Sequence, residues 1–245
     1  MPGIGTIVNV VAVLAGSIIG LLSGRAIPEK IRESLMKALG VATMFIGIGC
    51  TLAEMLYIKD DGSLGTNGIM LMIISLVIGT IVGELCKIED RLESLGDRIK
   101  KMKMFRNATT FTEGFVTSTL LISVGAMAIV GSIRDGINLD PTMLYSKSIL
   151  DFVSTMVFAS TLGVGVVLSA FPMGIYQGLI TVLACILGEH FMSPAMVSDL
   201  SLVGSVLIFC IGINLFAGKK VKVGNMLPAL LVPIIYGIFN MIVGR

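Results

Sequence analysis

The chain has 245 residues, 55% of them hydrophobic and only 14% charged, with a mean hydropathy of +0.96, a balance that excludes an ordinary soluble domain. Several apolar runs exceed the roughly 18 to 20 residues that cross about 30 Å of hydrocarbon as helix, and the alternating segments of a membrane β-barrel are absent. The net charge of +2 is too small, and the basic residues too confined to loops, to suggest a nucleic-acid partner.

Taken in chain order, the opening MPGIGTIVNVVAVLAG has no basic segment before its apolar run and no small-x-small cleavage site, so it reads as a first span and not a signal peptide. Apolar runs broken by charge, Pro or Gly predict an all-α, polytopic membrane domain over 1–245 with about eight spans. They are Ile4–Ser23, Ser34–Leu56, Asn67–Cys86, Thr110–Ser132, Ser148–Phe171, Met173–Phe191, Leu200–Gly218 and Gly224–Val243. Pro172 parts the fifth from the sixth, as in a tight hairpin.

Lysine and arginine give an independent reading of topology, because short cytoplasmic loops hold the excess. Arg25, Lys30, Arg32 and Lys37 follow span one; Lys87, Arg91, Arg98, Lys100, Lys101, Lys103 and Arg106 follow span three; Lys219, Lys220 and Lys222 follow span seven. These three regions share one side and hold 14 of the 18 basic residues. Both termini are therefore expected outside a prokaryotic plasma or inner membrane. Gly131–Lys147 is expected as an external loop, with Arg134, Asp135 and Asp140 solvated. Residues 87–109 place Ile88, Leu92, Leu95, Ile99 and Met102 on one helical stripe, predicting an amphipathic cytoplasmic linker helix against lipid headgroups.

Span one resembles span six through Val10/Val182, Ala12/Ala184 and Gly16/Gly188. Span two resembles span seven through Gly40/Gly204, and one further residue of shift brings Ile46-Gly47-Ile48 onto Ile211-Gly212-Ile213. Span three resembles span eight through Met70-Leu71 and Met226-Leu227. Spans one and six have opposite parity, so 1–86 and 173–245 read as an inverted three-helix repeat flanking a central pair, 110–172. Gly47, Gly49 and Gly212 are candidate helix breaks that would free carbonyls for a cation, or else small residues allowing close packing. Asn9 and Asn214 each carry an amide that needs a partner in lipid, which makes both candidates for a solute pathway, Asn9 as a gate partner.

Spans four and five are the most hydroxyl-rich. Glu113 and Thr117 share one face of span four, and Asp151 and Ser154 share a face of span five beside Thr155, groups able to replace a solute's water shell. Asp151 either pairs with Lys147 or Arg134, or is the outer carboxylate of a cation path with Glu113 as its inner counterpart. Glu54, Glu84 and Glu189 at span ends read as interfacial. Cys50, Cys86, Cys185 and Cys210 read as small buried residues. One histidine, His190, supports neither a multi-histidine metal site nor a histidine-dependent protease, and no phosphate-binding glycine loop occurs. An enzyme, a metal and a cofactor are therefore not expected.

The run GAMAIVGSIRDGINLDPTMLYSKSILDFVSTMVFASTLGVGVVLSAFPMGIYQG, with GTIVNVVAVLAGSIIGLLSG and IPEKIRESLMKALGVATMFIGI, resembles the DUF554 (YqgA/YdfK-like) family of bacterial and archaeal membrane proteins over essentially the whole chain. Leu150-Asp151-Phe152 stands where family members commonly have LDG. The resemblance implies a multi-span membrane protein, for which sodium channels or pumps have been suggested, and carries over no substrate or site residue. The expected function is a transporter or channel for a small cation such as Na+, or for a small polar solute. The alternative is a non-transporting scaffold or partner subunit, and either could form a homo-oligomer.

Overall fold

The computed structural model describes residues 1–24, 28–102, 105, 108–123, 126–187 and 193–243. Arg25, Lys103, Arg106, Gly188, Glu189, His190 and Phe191, named above, lie outside them. The fold is all-α with one small hairpin. Its elements are α1 Ile4–Gly24, α2 Glu29–Met55, β1 Leu56–Ile58, β2 Leu64–Thr66, α3 Ile69–Cys86, α4 Ile88–Lys100, α5 Phe111–Ser123, α6 Ala126–Ile137 and α7 Thr142–Leu162. There follow α8 Gly165–Leu168, α9 Ala170–Leu187, α10 Pro194–Ala217, α11 Val223–Met226, one 3-10 turn over Leu227–Leu230, and α12 Leu231–Val243.

Among the described residues, six helical segments are long and apolar enough to cross a membrane, or seven if α5 and α6, inclined at 58°, form one broken span. The expected fifth span, Ser148–Phe171, corresponds to α7, which has the length, 21 residues, but is less apolar than the others because of its Lys, Asp, Ser and Thr residues. Its side chains are arranged inside out. Ile149 is 68% exposed, with Leu150 and Val153 beside it, while Lys147, Ser148, Asp151 and Thr155 are buried. A helix with an apolar outer face and a polar inner one suits hydrocarbon outside and polar partners within.

Three boundaries differ from expectation. The fourth span does not stop at Ser132: α6 continues to Ile137, so Asp135 is buried and not solvated in a loop. α7 starts at Thr142, after an Asx turn in which Thr142 N donates to Asp140 Oδ1 at 3.1 Å. Asp140 itself is half-buried, and the Thr142 hydroxyl and amide hold its carboxyl below its ordinary pKa. The break between the fifth and sixth segments falls at Gly163, whose φ of 80° ends α7, and not at Pro172. Pro172 lies in the first turn of α9, where a missing N–H costs no helical hydrogen bond.

The chain divides into two compact units. The first takes in the described residues of Met1–Ala38, Asp90–Ser123 and Met127–Glu189. In it α1 and α7 run parallel in close contact: α1 presents Gly16, Gly20 and Gly24 to the carbonyls of Phe152, Met156 and Ser160, where any Cβ would collide. α9 runs antiparallel to α1, with Val13 packed among Ile122, Ala170 and Met173.

The second unit takes in the described residues of Leu39–Glu89, Val124–Ala126 and His190–Arg245. Here α2 and α10 are antiparallel. An ideal Cβ on Gly47 would lie 2.6 Å from Phe209 N, and one on Gly212 2.6 Å from Met44 N. α3 packs through Gly79 and Gly83 against Ala229 and Asn225. The start of α10 is set by Ser193, whose hydroxyl accepts from Met196 N at 3.2 Å ahead of Pro194. The carboxylate of Glu89 accepts from Gly224 N at 2.9 Å, and Asn225 Oδ1 accepts from Glu89 N at 2.7 Å, so α11 is tied to the start of α4.

Candidate functional site

The first unit encloses a polar network in the middle of apolar helices. Its hub is Asn9, in the second turn of α1 and fully buried. Asn9 Nδ2 donates to Asp151 Oδ2 at 2.9 Å on α7 and to Gln177 Oε1 at 3.3 Å on α9, and lies 3.6 Å from Met173 Sδ. Asp151 also accepts from Lys147, one turn back on α7. α7 begins at Thr142 and not at Ser148, so Asp151 stands about 13 Å along the helix at 1.5 Å per residue, deeper than the expected span start would put it. Lys147 is its partner; Arg134 is exposed and plays no part.

Asn9 of span one and the expected span-five group of Asp151 and Thr155 are thus brought together. The Thr155 hydroxyl donates to Asp151 O at 2.7 Å and lies 3.4 Å from Val13 O. Ser154 is only half-buried, on the edge of this face. Other α7 hydroxyls also bond to their own helix: Ser148 to Leu144 O at 2.6 Å and Ser160 to Val157 O at 2.7 Å. Back-bonding of this kind satisfies the hydroxyl without a ligand.

The remaining expected residues lie elsewhere. Glu113 is exposed in the first turn of α5, where a carboxylate is favoured by the helix dipole, and Thr117 is half-buried one turn on. Asn214 belongs to the second unit and closes the end of α10: its Nδ2 donates to Val221 O at 2.7 Å and its Oδ1 accepts from Lys220 N and Val221 N, both at 2.9 Å. α2 runs unbroken through Gly47 and Gly49, and α10 through Gly212. Gly47 and Gly212 serve close packing, and a Cβ on Gly49 would meet nothing within 4 Å.

Three members of the core were not singled out as site residues from sequence. Gln177 is fully buried, and its Nε2 has no partner. Lys147 was considered only as a neutralising partner. Asp135, fully buried on α6, accepts from Gly5 N at 3.0 Å through Oδ2, while its Oδ1 has no partner. α6 is held there by Gly131 against Leu144 of α7 and by Gly136 against Thr181 of α9. Ala128, Gly131, Ser132 and Asp135 recur at helical spacing, a sequence signal that the helix continues and turns Asp135 inward.

Towards the other end of α7 a cavity of about 430 Å³ is lined by Ile18, Leu22, Phe105, Thr110, Ser160 and Gly163, among others. The Thr110 hydroxyl donates to Leu162 O at 2.7 Å there, satisfying one of the carbonyls left open where α7 ends.

Comparison with known proteins agrees with a membrane assignment. A Bacillus subtilis (strain 168) protein named "Uncharacterized membrane protein YdfK" is 31% identical over 229 residues, covering 94% of this chain and 93% of that relative. An Escherichia coli (strain K12) protein named "Uncharacterized protein YqgA" is 31% identical over 234 residues, covering 93% of each. No solved structure gives a significant match. The family described as "Protein of unknown function (DUF554)" matches residues 4–238, and the chain, an integral membrane protein by its apolar helices, belongs to that family.

Proposed function

We propose that this protein is a transporter or channel for a small cation, Na+ included, or a small polar solute, and not an enzyme. The observation that carries the reading is the buried network of Asn9, Lys147, Asp151 and Gln177. Charged groups inside spans are costly, and they are most often kept for ion or proton pathways. Unpartnered polar atoms on Asn9 and Gln177 leave part of this network open to a ligand.

An inverted repeat is the second element of the proposal, and the packing supports it. The paired spans α1 and α9, α2 and α10, and α3 and α12 are antiparallel, as inversion requires. The shift that brings Ile46-Gly47-Ile48 onto Ile211-Gly212-Ile213 puts a glycine at two close approaches of α2 and α10, on Phe209 and on Met44. Inverted repeats provide two packings of similar energy, one open to each side of a membrane. The basic loops are assigned to the cytoplasm of a prokaryotic cell, and both termini to the opposite side.

The rival reading, a non-transporting scaffold or partner subunit, is favoured by the neutralisation of Asp151 by Lys147 and by the back-bonded hydroxyls of α7. Purified protein in proteoliposomes separates the two. Cation uptake above that of empty vesicles, reduced by Asp151→Asn, supports transport. Wild-type flux equal to that of empty vesicles across Li+, Na+, K+ and Mg2+ rejects cation transport, and the same result with small polar solutes leaves the scaffold.

A further inference from the structure

We infer that Asp135 binds a monovalent cation in the first unit, with the Thr6 hydroxyl supplying a second oxygen; this deepens the cation reading above by assigning its site. Charge balance points there. The buried ionic side chains of the first unit's described residues are Asp135, Lys147 and Asp151. Lys147 already neutralises Asp151, whereas no basic side chain lies within 4.0 Å of Asp135 among the described residues.

A fully buried carboxylate without a counter-charge is strongly disfavoured, because it has lost its hydration without an ionic partner. The N-terminus of α1 offsets only part of this, because a helix end amounts to about half an elementary charge and Gly5 N occupies one carboxylate oxygen. Capping therefore explains Oδ2 and leaves Oδ1 without a role.

Atoms on the facing turns of α1 are left over in the same way. Thr6 adjoins Gly5 in sequence, is 7% exposed, and its Oγ1 has no partner. Asn9 Oδ1, one turn on along the same buried stripe, has none either. Gly5, Thr6 and Asn9 fall within an arc of about 100° on the helix. Buried oxygens left without donors on the turns of α1 that begin at Gly5, whose N–H meets a single uncompensated negative charge, suit a hard cation of charge +1. A divalent ion would reverse the imbalance, and no cluster of three His, Cys, Asp or Glu occurs among the described residues to hold one.

The test titrates the purified protein in detergent with LiCl, NaCl or KCl, replacing choline chloride at constant ionic strength, and follows the thermal unfolding midpoint. A cation that binds only the folded state raises that midpoint with concentration. The expected result is a saturable rise with at least one of the three salts, abolished by Asp135→Asn and retained by Asp140→Asn. Thr6→Val is expected to raise the half-saturating concentration on the order of tenfold, the worth of one oxygen contact to a charge. A wild-type midpoint indifferent to all three salts overturns the inference, as does an undiminished response in Asp135→Asn. Should Asp135→Asn fail to fold, an unchanged half-saturation in Thr6→Val overturns it. Cation-dependent stability without flux in proteoliposomes would reject transport and leave the site standing.

Discussion

Gly47 and Gly212 make one contact twice, in opposite directions: each lies where a Cβ would sit 2.6 Å from the backbone nitrogen of the facing helix, Phe209 for Gly47 and Met44 for Gly212. Such a distance lets α2 and α10 approach almost backbone to backbone, which membrane helices use in place of a hydrophobic driving force. Both contacts belong to one antiparallel register, so a common shift relating them follows from the packing; what the sequence adds is a glycine at both positions.

Reciprocal contacts should have reciprocal costs. Gly47→Ala and Gly212→Ala are each expected to destabilise by about 1–3 kcal/mol, the usual range for overpacking. Gly49→Ala, with nothing within 4 Å of its added methyl, is expected to leave the unfolding midpoint unchanged or slightly raised. Thermal unfolding of the three variants in one detergent checks this. A loss at Gly49 as large as at Gly47 would contradict it.

Lys147 and Asp151 should be more costly to separate than to remove together. Asp151→Asn leaves a buried ammonium without its counter-charge, at a cost of about 3–5 kcal/mol, whereas Lys147→Met with Asp151→Asn removes both charges and is expected to recover most of that loss. A double-mutant cycle on unfolding free energies measures the coupling. Additive single effects would mean that the pair is solvated in the working protein. The same cycle run on flux then asks whether the restored fold also restores transport.

Residue pattern alone located some elements closely and missed others for identifiable reasons. Span one was read as Ile4–Ser23 and is helical over Ile4–Gly24; span three was read as Asn67–Cys86 and is helical over Ile69–Cys86. Both are apolar runs with punctuation at each end. Span seven is expected from Leu200, yet the helix begins six residues earlier, where Ser193 and Pro194 carry the start signal. Asp151, Thr155 and Asn9 were legible because a carboxylate, a hydroxyl and an amide in apolar surroundings need partners. Asp135 was not, because Arg134 and Asp135 together resembled a solvated loop; the exposed Arg134 and the buried Asp135 lie on different faces of one helix. Gln177 lies near the start of an apolar run and needed its neighbours in space to become visible.

Asn214 illustrates an amide whose partners are all backbone. Asn214→Ala removes three hydrogen bonds to Lys220 and Val221 at the end of α10, with an expected cost of about 1–3 kcal/mol. Because its amide is saturated by that loop, ion selectivity in proteoliposomes should not change, although yield and midpoint should fall. Altered selectivity would return Asn214 to the pathway.

The stripe of Gly16, Gly20 and Gly24 sets the separation of α1 and α7, and so the reach of Asn9 to Asp151. A Cβ on Gly20 would collide with the Met156 carbonyl, and this atom belongs to a helix backbone that cannot swing aside as a side chain can. Gly20→Ala should therefore force the two helices apart. The expected cost is about 3 kcal/mol, the upper part of the overpacking range, and the hydrogen bond of 2.9 Å between Asn9 and Asp151 should weaken although neither residue is changed. Two measurements distinguish this from simple loss of fold. Gly20→Ala should lower the unfolding midpoint, and in the folded fraction it should shrink the coupling between Asn9→Leu and Asp151→Asn that the wild-type background displays. A variant that unfolds earlier but keeps the full coupling would show that the glycines fix stability alone, and that the polar network holds its geometry without them.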